Sequence, residues 1–221
     1  MSELLVIAAG GLAREVLAMV RSFGLYDVIG ILDDDEDRNG RVVDGAHVLG
    51  PIRDALEFPH AKLLVCISSG RARENVVMRL RNLGLDEDRY ATAIDPSVHR
   101  PDGCHIGVGS VLLANVTMTA SVSLGQHVVA MPGVTFTHDD VVADFATFSA
   151  GVSLGGNVSI GRGAHLGMNA SIREHRTVGA GATIGMGAAV LNDVPAGESW
   201  AGVPARVIQR SSTNLELEDM Q

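Results

Sequence analysis

Large rings are scarce in this sequence, which has one Trp, two Tyr and five Phe among 221 residues. A chain that is 46% hydrophobic with so few aromatics must fill its core with Val, Ile, Leu, Ala and Met. That composition favours repetitive packing of small side chains over a few bulky anchors. Cysteine is nearly absent: Cys66 and Cys104 lie in apolar surroundings with no CxxC partner, which excludes a disulfide framework and fits a reducing compartment. Basic residues are outnumbered, 17 Lys and Arg against 26 Asp and Glu, for a formal charge of −9. This argues against nucleic acid or an anionic membrane as partner, since both are bound through clustered Lys and Arg, so any anionic ligand must be held locally. Long hydrophobic runs are missing too. The opening "MSELLVIAAGG" has no basic flank and is too short for a signal peptide or a membrane span. The expectation is a soluble cytoplasmic protein.

The length suits one large or two small domains, and the two halves differ in pattern. In the first, "ELLVIAAGG" reads as a buried strand broken at a Gly pair, and "LAREVLAMVRSFG" as a helix stopped by Gly24. "DVIGILDDD" is a second strand ending in carboxylates; "AKLLVCISSG" is a third, followed by the helical "RARENVVMRLRNLG". Strands alternating with helices imply a parallel sheet covered on both sides, a Rossmann-like α/β domain over residues 1–95.

From Cys104 onward the period becomes six. Every sixth residue from Ile106 to Val190 is aliphatic, Met, Phe or Ala, with no insertion to break the register. Two residues earlier comes mostly a small or β-branched residue, such as Val116, Val134, Val158 and Ala170, and just after it often Gly, as at Gly107, Gly125, Gly155 and Gly161. Those glycines are expected to supply turns with φ > 0. Such self-similarity is the signature of a β-solenoid, each hexad one short strand and one corner, three hexads to a triangular coil. A β-sandwich would not hold the period. The register ends after Val190 at "NDVPAGESWAGVPARVI", whose Pro195 and Pro204 cannot donate to a central ladder. The solenoid is placed at 96–208 and a polar, acidic tail at 209–221.

One polar interruption, Thr137-His138-Asp139-Asp140, stands inside this run. His138 falls two residues after Phe136, at a corner rather than in the interior, and imidazole is the side chain whose charge changes near neutral pH. On the residues alone, a solvated corner is the commoner explanation. The other histidines are read as structural or surface residues. A zinc site of the γ-carbonic anhydrase kind would need three converging histidines, and His105, His127 and His165 are irregular in hexad phase, so no metal is expected.

The unbroken hexads, "THDD", the closing "AGVPARVI" and the N-terminal Gly-Gly turn together resemble the bacterial sugar-nucleotide acyltransferases with a left-handed parallel β-helix of hexapeptide repeats. Members include N-acetyltransferases of UDP- or GDP-linked 4-amino-sugars and sialic acid O-acetyltransferases. The resemblance implies a homotrimer, acetyl-CoA as co-substrate in the groove between subunits, and an N-terminal domain that holds the nucleotide of an amino-sugar acceptor. It implies that His138 is the general base, a role that accounts for roughly 10²- to 10⁴-fold of a rate, and that Asp139 raises its basicity. Gly156, one coil above His138, is expected on the coenzyme side, where a bare backbone N–H can meet an oxyanion. Met168 and Met186 are expected to border the pantetheine arm. Thr147 stands where the family often has a second His near the coenzyme, and its hydroxyl is expected to take that place.

For the nucleotide, Gly10 and Gly11 at a strand-to-helix turn can bring N–H groups to a phosphate. Leu12 stands where the family usually has His, and Ala8 where it has Gly. Asp33 and Asp34 end the second strand, where carboxylates can accept from ribose or base, while Asp35 to Asp37 read as a solvated loop. Ser68 replaces a family Gly and Arg73 matches a family Arg, so Arg14 and Arg73 are the expected local positive charges. The function implied is direct acetyl transfer to a nucleotide-linked amino-sugar, 4-amino-4,6-dideoxy in type. A sialic-acid-type O-acetyltransferase and a non-catalytic hexapeptide scaffold are the alternatives.

Overall fold

The computed structural model describes residues 1–209. The acidic tail expected from 209 onward lies outside the described residues beyond Gln209.

Strand β1 (Glu3–Ile7) runs parallel to β2 (Asp27–Leu32), and a hairpin of β3 (Val42–Val43) and β4 (Ala46–Gly50) adds to its far side. With β5 (Lys62–Val65) the order is β3-β4-β2-β1-β5. The sheet is parallel except at β3, which is antiparallel to β4. Alternate residues of β1 serve opposite faces, as the pleat demands. Leu4 and Val6 meet Leu12, Val16 and Val20 of helix α1 (Gly11–Phe23). Leu5 and Ile7 share the opposite core with Leu80 of helix α2 (Gly70–Asn82). Gly24, at φ 58°, ends α1 in the left-handed conformation that glycine adopts without a Cβ penalty.

Strand β6 (Ala93–Ile94) pairs with β8 (Val111–Leu112), so the chain enters the solenoid there. From His105–Ile106 (β7) to Ala189–Val190 (β21) run fifteen two-residue strands that pair in parallel with the third strand along, as in Ser123↔Val141, Val129↔Thr147 and Ser153↔Ser171. They stack into the three flat sheets of a left-handed parallel β-helix. The second residue of each pair and the residue two before it fill the interior, Leu154 with Val152 and Leu166 with Ala164, all essentially dry. Phe136 and Phe148 meet edge-on at 4.9 Å inside it. On one face the outward residues are also covered, because Val111, Leu113 and Val129 join the core beneath α1. After β21, Ser199–Ala201 (β22) adds one more parallel rung and pairs antiparallel with Arg206–Gln209 (β23). Trp200 packs against that end of the core.

The expected role of the repeat glycines needs correction. The left-handed residue is three positions after the interior aliphatic, not one, and it includes Asn115, His127, Asp139, Phe145, Asn157 and Asn169 as well as Gly133 and Gly163. The glycines just after the aliphatic serve close stacking. A Cβ at Gly107 would lie 2.4 Å from the Gly125 carbonyl, and one at Gly161 2.4 Å from the Ala180 nitrogen. The coils approach too closely there for any side chain.

Candidate active site

Since each strand pairs with the third one along, residues exactly one coil apart share one edge of the prism. His138, Gly156 and Glu174 stand on one edge. Met168 and Met186 are on a second, and Asp144 and Arg162 on the third.

On the first edge the His138 ring lies over Gly156. A Cβ at Gly156 would be 2.3 Å from His138 Nε2 and 2.5 Å from Cε1, so the ring occupies space that only a glycine leaves. The main chain is tied as well, since Asn157 N–H donates to the His138 carbonyl at 2.8 Å. Asp139 takes the left-handed corner, φ 61°, and its Oδ2 lies 2.9 Å from His138 Nδ1. Both side chains are mostly exposed. With Nδ1 engaged by a carboxylate, the neutral ring carries its proton there and leaves Nε2 as the basic nitrogen. Asp140, next in the chain, is fully buried. Its Oδ2 accepts from Thr137 N–H and its Oδ1 from Val158 N–H, both at 2.8 Å. Burial pushes its carboxyl up to about 6, against the pull of those two N–H groups.

Met168 and Met186 are exposed, at 50% and 74%, but on the second edge, so one chain does not bring them to His138. Thr147 and Arg73 are corrections. The Thr147 side chain is buried against α2, its hydroxyl donating to the Ser68 carbonyl at 2.8 Å and accepting from Arg73 at 3.1 Å. That hydroxyl is spent inside the chain and is not open to a coenzyme. Arg73 is fully buried and donates to the carbonyls of His127 at 2.8 Å and Phe145 at 2.9 Å, and to those of Ile67, Ser68 and Ala146. It fastens the α/β domain to the solenoid and offers no charge to a ligand; burial lowers its pKa to about 10. Gly70, which starts α2, has no room for a Cβ against the Phe145 carbonyl. His127 is buried with its ring stacked on Phe145 at 5.1 Å, and desolvation holds its pKa at about 4.

In the α/β domain, Gly10, Gly11, Leu12, Asp33 and Ser68 line a cleft of about 280 Å³ together with Ala8, Asp35 and Arg38. Gly10 caps α1 without a side-chain acceptor, which leaves the first N–H groups of the helix turned to this cleft. Leu12 buries its side chain in the core and can present only backbone. Ala8 is held at φ 74°, a conformation that suits the glycine usual there. Asp33 accepts from Ala9 N–H at 2.7 Å. Asp34 does not line this cleft: it accepts from Ile52 N–H at 2.9 Å and pairs with Arg79, and with Asp33 it lines an adjoining cleft of about 470 Å³. Arg14 pairs with Asp44 at 2.7 Å. The cation at the cleft is Arg38, 3.5 Å from Asp33 and 3.0 Å from Asp35. Sequence reading missed it because nothing about a loop arginine announces which strand end it folds onto. It also assigned Asp35 to a solvated loop. Asp140 carries a signal in the sequence, since it puts a carboxylate at a hexad position that mostly takes a small apolar residue.

Among the described residues, no three His, Cys, Asp or Glu side chains are grouped so as to hold a metal ion, and no helix is long and apolar enough to cross a membrane.

Residues 3–80 match the family model of the PglD N-terminal domain. In structure, the chain is similar to the acetyltransferase domain of PglB from Neisseria gonorrhoeae in complex with acetyl coenzyme A. That match has 30% identity and a TM-score of 0.84 and covers 94% of this chain and 99% of that one. PerB from Caulobacter crescentus, in complex with CoA and GDP-perosamine, is 27% identical with a TM-score of 0.85, over 94% of this chain and 97% of that one. WeeI from Acinetobacter baumannii is 27% identical with a TM-score of 0.83, over 94% and 100%. No curated protein matched the chain.

Proposed function

Since the chain belongs to the family of sugar-nucleotide acetyltransferases, we propose that it moves the acetyl group of acetyl-CoA directly to the amine of a nucleotide-linked 4-amino-4,6-dideoxy sugar, with His138 as general base. The observation that carries this reading is the His138 ring laid over Gly156 at an open edge, with Nδ1 tied to Asp139 and Nε2 without a partner among the described residues.

Aminolysis of a thioester needs an unprotonated amine and a place for its proton. As the amine nitrogen attacks the acetyl carbonyl carbon, Nε2 of His138 takes the proton, and the Asp139 carboxylate stabilises the imidazolium that forms. The negative charge that develops on the carbonyl oxygen is met by the backbone N–H of Gly156, where no Cβ obstructs approach. Collapse of the tetrahedral species breaks the C–S bond and releases CoA as the thiolate. No acyl-enzyme is required. Cys66 is buried with its thiol pushed up to about 12, which leaves essentially no thiolate for nucleophilic work.

The diphosphate of the acceptor fits the cleft at Gly10 and Gly11, where the uncapped α1 N-terminus attracts negative charge. Arg38 adds a positive charge there and Asp33 an acceptor for the nucleoside. Met168 and Met186 would border the pantetheine arm. They stand on a different edge from His138, so a site that uses both needs the edge of one copy facing the edge of another. A homotrimer with a site at each interface meets that requirement.

The test is CoA release measured against a panel of UDP-, GDP- and dTDP-linked 4-amino-6-deoxy sugars and their hydroxyl analogues. Turnover with one amine-bearing member, and a loss on the order of 10²- to 10⁴-fold in His138→Ala, is the expected outcome. Turnover only of hydroxyl analogues would make the chain an O-acetyltransferase, and near-normal activity of His138→Ala would remove the mechanism.

A further inference from the structure

The buried carboxylate beside the base is not used by that mechanism, and the repeat supplies a reference for what it changes. In every other turn from Gly107 to Gly185, the N–H just after the interior aliphatic donates to the carbonyl one coil on, as Thr119 does to Phe136 at 3.1 Å and Gly155 to Ile172 at 2.8 Å. Thr137 departs from that rule. Its N–H turns to Asp140 Oδ2, and the ladder between Thr135–Phe136 and Ser153–Leu154 keeps only the Thr135↔Ser153 pair, whereas on its other side both pairs form. Val158 departs too. The equivalent N–H groups of Ala164, Ala170 and Ala182 close their own turns at 3.1 to 3.2 Å, while that of Val158 is drawn across to Asp140 Oδ1 at 2.8 Å. Ser110, at the same hexad position, takes the Val128 N–H in this way at 3.0 Å, but the equivalent ladder before it, between His105–Ile106 and Ser123–Leu124, keeps both its pairs.

From this we infer that Asp140 is a positioning residue for acetyl transfer: by holding the N–H groups of Thr137 and Val158, it parts the base-bearing turn from the coil above and fixes His138 over Gly156. The inference rests on the function proposed above. Thr137 immediately precedes the base and Val158 follows Gly156 by two positions, so one carboxylate spans both sides of the reacting slot. A Val here, as at Val122 and Val158 directly below and above, would satisfy the interior. It would free Thr137 N–H to rejoin the Leu154 carbonyl and would close that slot.

The experiment compares Asp140→Val and Asp140→Asn with the native chain in steady-state kinetics, thermal melting and crystal structure. Asp140→Val is expected to fold, to keep both KM values within about twofold and to lose on the order of 10²-fold in kcat, the scale of a 1 Å misplacement. Its structure is expected to show the His138 ring withdrawn from Gly156. Asp140→Asn, which keeps one acceptor oxygen, should fall between. Native kcat in a well-folded Asp140→Val with an unmoved ring overturns the inference. If that variant does not fold, Asp140→Asn decides by the same split: a fall in kcat at constant KM supports the role and native kcat refutes it. Should the native chain acetylate none of the acceptors, the proposed function fails, and the ring position in the variant structures still decides whether Asp140 sets it.

Discussion

Replacing Gly156 by Ala should separate activity from stability. The added Cβ would stand 2.3 Å from His138 Nε2, 2.5 Å from Cε1 and 3.0 Å from Cδ2, and those three ring atoms are its nearest contacts. Carbon contacts settle near about 3.5 Å, so the imidazole must retreat by about 1 Å. It can do so cheaply, because it is the free end of an exposed side chain. The Gly156 backbone is outside the left-handed region, and Gly→Ala at a compatible site stabilises by about 0.4–1 kcal/mol through the unfolded state. Displacing a base by about 1 Å costs on the order of 10²-fold, about 2.7 kcal/mol in the barrier. Gly155→Ala is the control: its Cβ would meet the Glu174 nitrogen at 2.5 Å, a backbone atom that cannot swing aside. Saturating CoA-release rates and thermal melts of both variants make the comparison. Gly156→Ala should melt at or above the native temperature with kcat down about 10²-fold, while Gly155→Ala should melt lower. Native kcat in Gly156→Ala, or a melting loss equal to that of Gly155→Ala, would refute the placement of the base.

Two further expectations concern buried charge. Asp140 has its pKa raised from 3.8 to about 6, so it contributes stability below pH 3.8 that is lost as pH rises through 6. His127, lowered from 6.5 to about 4, contributes stability above pH 6.5 that is lost as pH falls through 4. The two oppose each other in the same window, and Asp140→Val should gain on the native chain by up to about 3 kcal/mol between pH 4 and 6; denaturation curves that keep a constant gap across that range would contradict this. Arg73→Met keeps the volume but leaves the carbonyls of Ile67, His127 and Phe145 without their donor, while that of Ser68 keeps the Thr147 hydroxyl and that of Ala146 the Val129 N–H. It should cost about 3 kcal/mol or more in urea denaturation, and an unchanged midpoint would mean that the guanidinium is not what joins the two halves.

The solenoid was legible because its period is strict: the interior aliphatics from Ile106 to Val190 each form the second residue of a two-residue strand. The glycines were misread because a period gives the position of a residue but not the reason for it. Left-handed corners here accept Asn, His, Asp and Phe as well as Gly, so composition does not mark them, and the need for glycine after the aliphatic appears only when the next coil is in place. The chain alone does not tell which side of α2 meets the solenoid, and so does not show that Arg73 and Thr147 are turned inward. Neighbours at the end of a strand tend to face opposite ways, so Asp33 reaches the Gly10–Gly11 cleft while Asp34 turns to Ile52 and Arg79. The separation of His138 from Met168 was present in the numbering, because the two are five hexads apart and only a multiple of three returns to the same edge.

The repeat also supplies the standard against which chemistry can be recognised. A solenoid built only to stack would keep a small apolar residue two places before each aliphatic and an intact ladder at every turn, as most turns here do. Departures cost stability, so they persist where something else depends on them. On the third edge, His127 and Phe145 hold bulky side chains at left-handed corners, φ 53° and 61°, and their carbonyls are the ones that receive Arg73. That edge docks the α/β domain. On the first edge a corner Asp, a buried carboxylate and a missing rung fall together around His138. On the second, exposed Met side chains replace the small corners of Ala114 and Ala150 below them. On the function proposed above, each edge of one prism does a different job. His138 and the methionines then serve one site from different edges, so a single copy does not complete it, and a variant held as a monomer is expected to lose CoA release.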